Sequence, residues 1–95
     1  MSENLENMKM KILPILKRAG ITRSAFFGSV ARGENREDSD VDILIEFQDS
    51  KSLFDLVALQ NELKDALGRD VDLVTYRSVY PKLRETIKRD EVSIM

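Results

Sequence analysis

The sequence predicts an α/β (α+β) fold, a small mixed β-sheet with flanking helices, and three observations carry that prediction. Segments with helical spacing of apolar residues alternate with short apolar runs of strand length. The link between the first two strands is about a dozen residues and largely polar, at the short limit for a parallel crossover, so these strands should be antiparallel neighbours. The link between the second and third strands contains a helix that can carry the chain back across the sheet, so those two should be parallel.

Taken in order, Leu5, Met8, Ile12, Ile15, Leu16 and Ala19 fall at helical spacing, and Gly20 is a natural stop. Pro14 interrupts that reading: either the helix kinks there, or an early turn ends and a short second one begins. Ala25-Phe26-Phe27 reads as a short strand, and Val41–Phe47, rich in isoleucine and leucine, as a clearer one. Ser52-Leu53-Phe54-Asp55 has the form of a capping box; it opens a helix whose Leu56, Leu59, Leu63 and Leu67 make an apolar stripe ending at Gly68. Val71–Thr75 reads as a third strand. Pro81 at a first helical position, followed by Leu83 and Ile87, suggests a last short helix.

The 95 residues are expected to form one domain, 1–95, without room for a second core. With 42% hydrophobic and 34% charged residues, the chain is too apolar for disorder and has the charge of a soluble surface. A net charge of −2 offers no global positive field for nucleic acid, so no direct nucleic-acid binding is expected. There is no cysteine and no histidine. Disulfides, thiolate nucleophiles, Ser-His-Asp catalysis and histidine- or cysteine-ligated zinc are thereby excluded. Any metal site must use oxygen ligands, which favours magnesium, manganese or calcium. No apolar run approaches membrane-spanning length and the first residues, Met1-Ser2-Glu3-Asn4, do not resemble a signal peptide, so the cytoplasm is the expected compartment.

Two short segments concentrate the chemistry. Gly28-Ser29-Val30-Ala31-Arg32-Gly33 follows the first strand, and Ser39-Asp40-Val41-Asp42 opens the second. Gly28 would let the backbone approach a phosphate closely, Ser29 adds a hydroxyl donor, and a following helical turn points free N–H groups outward. Arg32 lies three residues after Ser29, within reach of the same anion. Gly28 and Gly33 also fit the two glycines of a Walker A loop, but Glu34-Asn35 stands where Lys-Ser/Thr is required, so an ordinary P-loop is excluded.

Residues i and i+2 of a strand share a face, so Asp40 and Asp42 can aim at one point from roughly 7 Å apart along the backbone. Asp72, between Val71 and Leu73 on the neighbouring strand, is a poor strand former and joins them in the predicted topology. Gly28, Ser29, Asp40, Asp42 and Asp72 should therefore collect at one edge of the sheet. Two carboxylates about 4 Å apart repel by roughly 4 kcal/mol at an effective dielectric near 20, and a cation between them removes that penalty. Magnesium, which keeps waters and takes further ligands from substrate phosphates, suits such a cluster; two ions would give a two-metal displacement. Separately, Asp38-Ser39-Asp40 can be read as a turn, and Asp72 as a solvent-facing strand residue. An EF-hand is rejected, because Ile43 stands where glycine is needed and Asp49 where a bidentate glutamate belongs.

Gly-Ser-x-Ala-Arg-Gly, a short polar spacer, then Ser-Asp-x-Asp entering an apolar strand resembles the DNA polymerase β-type nucleotidyltransferase superfamily. The short chain and the run 28–47 are similar to its minimal nucleotidyltransferases, the MntA-like antitoxins paired with HEPN-domain toxins, and Gly68-Arg69-Asp70-Val71-Asp72-Leu73-Val74 matches the strand of the third carboxylate. The resemblance implies a polymerase β-like core with metal-binding, catalytic aspartates at Asp40 and Asp42. It places the third carboxylate, which helps activate the attacking hydroxyl, at Asp72. Nucleotide-binding positions fall on Gly28, Ser29 and, with a less defined contact, Arg32. It further implies Mg2+, as two ions, with ATP as substrate, and AMP transfer to a tyrosine hydroxyl of a partner HEPN toxin.

Larger enzymes with this signature add domains that hold the second substrate. Here the acceptor hydroxyl must come from outside, which a protein partner would supply. The apolar-basic stretch containing Tyr80, Lys82, Leu83, Arg84, Ile87, Lys88 and Arg89 is either part of such a contact or an ordinary amphipathic helix covering the sheet. Two other readings of the function are a non-catalytic antitoxin that neutralises the toxin by binding, and nucleotidyl transfer to a small molecule or nucleic-acid end.

Overall fold

The structure, a computed structural model, describes residues 4–33, 40–49, 51–79 and 81–95. Residues 1–3 and Glu34, Asn35, Asp38, Ser39 and Tyr80, which figure in the sequence reading, lie outside the described residues.

The first helix, α1 (Leu5–Arg18), is continuous through Pro14. Pro14 has no N–H to donate to the carbonyl of Met10, four residues back, but Met10 is 72% exposed, so water can satisfy the freed oxygen. The opposite face carries Met8, Ile12 and Leu16, all fully buried. Asn4 caps the helix by accepting a 2.9 Å bond from the Asn7 N–H.

Strand β1 spans Ile21–Phe27, four residues longer at its start than the apolar run 25–27 suggests. Thr22 and Arg23 face solvent and hide the strand from a hydrophobicity reading, while Ser24 is buried and its hydroxyl donates to the Leu44 carbonyl at 2.8 Å. A single helical turn, α2 (Gly28–Ala31), follows. Strand β2 covers Val41–Phe47. Helix α3 (Leu53–Leu67) opens with the expected capping box between Ser52 and Asp55 and ends at Gly68, whose left-handed φ of 66° closes the helix. Its Leu59, Leu63 and Leu67 are buried, as the stripe predicts. Strand β3 is Val71–Thr75, followed by a short turn of 3-10 helix, Tyr76–Ser78, and helix α4 (Pro81–Asp90). A two-residue strand, β4 (Val92–Ser93), was not foreseen; too short to show a period, it pairs antiparallel with Ala25 and Phe26.

Among the described residues the sheet has the order β3-β2-β1-β4. The β1/β2 pair is antiparallel and the β2/β3 pair parallel, as the link lengths predict. Val41, Ile43 and Ile45 of β2, Phe26 of β1 and Val71 and Leu73 of β3 project to one face, where they pack with α1 and α3 to form the core. Each fully buried leucine or isoleucine contributes about 1.5–3 kcal/mol. The alternate residues, Asp42 and Leu44 on β2, Ala25 on β1 and Asp72 on β3, project to the second face. Among the described residues no helix is long and apolar enough to cross a membrane.

Candidate active site

Three adjacent strands bring the predicted residues together at one end of the second face. Asp42 is the register partner of Phe27 on one side, immediately before Gly28, and of Asp72 on the other. Paired residues of neighbouring strands share a face, so the Asp42 and Asp72 side chains lie side by side and the charge of Asp72 acts on Asp42. Asp40, one strand period before Asp42, is exposed but near enough for its charge to act on Asp42.

The electrostatics record this crowding. The Asp42 carboxyl is pushed up from its usual 3.8 to about 6, first by burial, then by the negative charges of Asp72 and Asp40. Arg32 opposes the shift, so its guanidinium acts on the same carboxyl; its Nη1 also lies 3.9 Å from Asp90 Oδ2, tying the turn after β1 to the end of α4.

Gly28 has a left-handed φ of 67°, and a Cβ there would run into the Asp42 carboxylate oxygen Oδ2. The sequence reading assigns this glycine to the approach of a phosphate; the structure shows that the Asp42 side chain itself requires the space. Ser29, half-buried, lies in the first turn of α2, and Val30 anchors that turn in the core.

Magnesium or a similar hard cation fits the donor set: all the groups are carboxylate oxygens, and their mutual repulsion adds to burial in raising Asp42. The set is not a closed cage. Among the described residues no group of three or more acidic side chains already forms a metal site. Magnesium does not need one, since it usually binds through one or two carboxylates and completes its shell with water and phosphate oxygens.

Beyond Leu44 on the second face, sequence reasoning named Arg84 and Lys88 in a candidate partner contact but missed Arg23 and Arg77. Arg23 stacks on Tyr76, 4.2 Å from the ring centroid, and sits 3.9 Å from Glu91 Oε1. The alternation of β1 could have placed Arg23 there, but the short strand expected at 25–27 excluded it.

Comparison with known proteins agrees with this geometry. The nucleotidyltransferase domain family model matches residues 9–93. A Methanocaldococcus jannaschii protein, provisionally named protein adenylyltransferase MJ0435, is 47% identical over 92 residues, covering 97% of this chain and 99% of the relative. Protein adenylyltransferase MntA of Thermococcus cleftensis is 40% identical over 78 residues, 82% of this chain and 79% of that protein. Among solved structures, a provisionally assigned minimal nucleotidyltransferase superposes with a TM-score of 0.82 at 40% identity over 95% of both chains. A toxin–antitoxin crystal structure with AMP-PNP superposes with a TM-score of 0.80 at 27% identity, over 92% of this chain and 72% of that one. Sequence, fold and the acidic strand ends agree: this chain belongs to the nucleotidyltransferase domain family, in its minimal form.

Proposed function

We propose that this protein is a Mg-dependent protein adenylyltransferase that acts as an antitoxin, transferring AMP from ATP to a tyrosine hydroxyl of a partner HEPN-domain toxin in the cytoplasm. The observation that carries the reading is the register Phe27–Asp42–Asp72, which sets a glycine turn and two carboxyls side by side on three strands. The name of the Thermococcus relative supports adenylyl transfer to protein, and the toxin–antitoxin structure with AMP-PNP supports both the nucleotide and the setting. The HEPN partner and the tyrosine follow from the signature's resemblance.

In this reading Gly28 and Ser29 receive the triphosphate, with backbone N–H groups and the Ser29 hydroxyl donating to phosphate oxygens. Arg32 adds positive charge beside the same site. Asp40 and Asp42, with Asp72 beside them, would hold magnesium, two ions in the full site, which when bound neutralises charge on the phosphates and on the departing pyrophosphate. Asp72 accepts the proton of the incoming hydroxyl. The hydroxyl oxygen then bonds to the α-phosphorus as the bond from that phosphorus to the bridging oxygen breaks, releasing pyrophosphate. Positioning and electrostatics carry most of this chemistry, because the leaving group needs no covalent help from protein.

The test is incubation of the pure protein with labelled ATP, magnesium and the toxin encoded beside it. Label on a toxin tyrosine is the expected result; an unlabelled toxin with folded protein would refute the reading.

A further inference from the structure

The second face of the sheet continues past the carboxylates into a groove of about 370 Å³. Its apolar lining comes from Leu44, one strand period beyond Asp42, together with Val79 and Ile87. Leu44 therefore lies about 7 Å along β2 from Asp42, on the same face. Arg77, Arg84 and Lys88 also line the groove and are exposed. Among the described residues none of these three cations has an acidic partner, whereas Arg23 beside them is occupied by Tyr76 and Glu91.

Three cations with no acidic partner among the described residues, in a chain of net charge −2, form a local field opposite to the net charge of the protein. ATP does not account for them. Its charges lie on the phosphates, which the reaction requires at the carboxylates and the Gly28 turn, and its base is neutral. A long nucleic acid, extending beyond the groove, would meet a chain of net charge −2, and stacked bases do not require the aliphatic lining. A short acidic peptide with an apolar side chain matches both the lining and the rim.

We propose that this groove holds an acidic segment of the protein that presents the acceptor hydroxyl, and so selects the substrate. The inference rests on the adenylyltransferase reading above and adds the chemistry of the partner. Carboxylates flanking the target tyrosine meet Arg77, Arg84 and Lys88, an apolar neighbour packs on the half-buried Ile87 above the buried Leu44, and the tyrosine is carried towards Asp72.

The test uses fluorescein-labelled ten-residue peptides, one with glutamates around a tyrosine and one with glutamine in their place. Binding is followed by anisotropy to the wild-type chain and to the variant Arg77→Gln/Arg84→Gln/Lys88→Gln, with decauridylate as a third probe. The acidic peptide should bind at least tenfold more tightly than the neutral one. The triple variant should lose that preference while binding ATP as before, and its KM for the protein acceptor should rise at least tenfold with kcat unchanged. No binding of the acidic peptide, equal affinity for the two peptides, or an unaltered preference in the variant would overturn the inference. Loss of ATP binding in the variant would assign the groove to the nucleotide, and tighter binding of decauridylate to nucleic acid; either result overturns it. Transfer to no acceptor by the wild-type chain would instead defeat the adenylyltransferase reading, so the two failures are distinguishable.

Discussion

Asp42 and Asp72 are register partners on parallel strands, so their side chains leave the same face of the sheet and the charge of Asp72 acts on Asp42. Burial first, and then the negative charges of Asp72 and Asp40, hold the Asp42 carboxyl up at about 6. The site therefore works against the stability of the fold at neutral pH, as expected where charges are gathered for a ligand.

Replacing Asp42 with asparagine should separate these roles. Nucleotidyl transfer should fall by about a thousandfold or more, because a proposed metal ligand and its charge are lost. The folded chain should gain roughly 1 kcal/mol at neutral pH, a value reduced for the partial solvent exposure of the site. Urea denaturation of both proteins, alongside a transfer assay, measures the two effects.

The pH dependence has a definite sign. The folded-state pKa of Asp42, about 6, lies above the ordinary 3.8, so the native state binds more protons than the unfolded chain between those values. The Asp42 contribution to stability is therefore least unfavourable below the lower value, declines as pH rises through the window, and is fully unfavourable above about 6. Denaturation midpoints across that range should show the decline in the wild-type chain and not in Asp42→Asn. Activity should run the other way, falling as pH drops below about 6.

Magnesium should raise the melting temperature of the wild-type chain at neutral pH, because a cation at the carboxylates offsets their repulsion. It should also move the acidic limb of the activity profile to lower pH, since metal and proton compete for Asp42. Chelation should abolish transfer, and magnesium should restore it. Asp42→Asn should lose most of the thermal shift, which differential scanning fluorimetry reads directly.

Gly28 and Gly68 offer a controlled comparison, with φ of 67° and 66°. A Cβ at Gly68 meets nothing within 4 Å, whereas at Gly28 it runs into the Asp42 carboxylate. Gly68→Ala should cost about 1 kcal/mol of stability, the left-handed backbone penalty, with transfer unchanged. Gly28→Ala should add displacement of Asp42 and reduce transfer by at least about tenfold. Denaturation and kinetics on the two variants separate backbone strain from damage to the site.

The features legible in the sequence were those with a strong local signal. The Ile- and Leu-rich strand around Asp42, the Ser52–Asp55 capping box and the Leu59–Leu63–Leu67 stripe each declare themselves within a few residues. Link lengths then gave the pairing directions, and pairing brought Asp72 to Asp42. The features that were not legible depend on tertiary partners. Strand β1 starts early because Ser24 finds a buried carbonyl on Leu44, and β4 exists because Phe26 and Ala25 offer it an edge. Pro14 stays inside its helix on an exposed position, away from the buried face of Met8, Ile12 and Leu16. The cationic groove gathers β1, the turn after β3 and α4, which are far apart in the chain.

In the proposed function the carboxyls of Asp42 and Asp72 serve transfer of AMP to a protein hydroxyl. Intact-protein mass spectrometry of the toxin partner, after incubation with ATP and magnesium, tests it most directly. An AMP-sized addition on a toxin tyrosine is expected with the wild-type chain and none with Asp42→Asn or Asp72→Asn. An unmodified toxin, or equal modification by the aspartate variants, would contradict it.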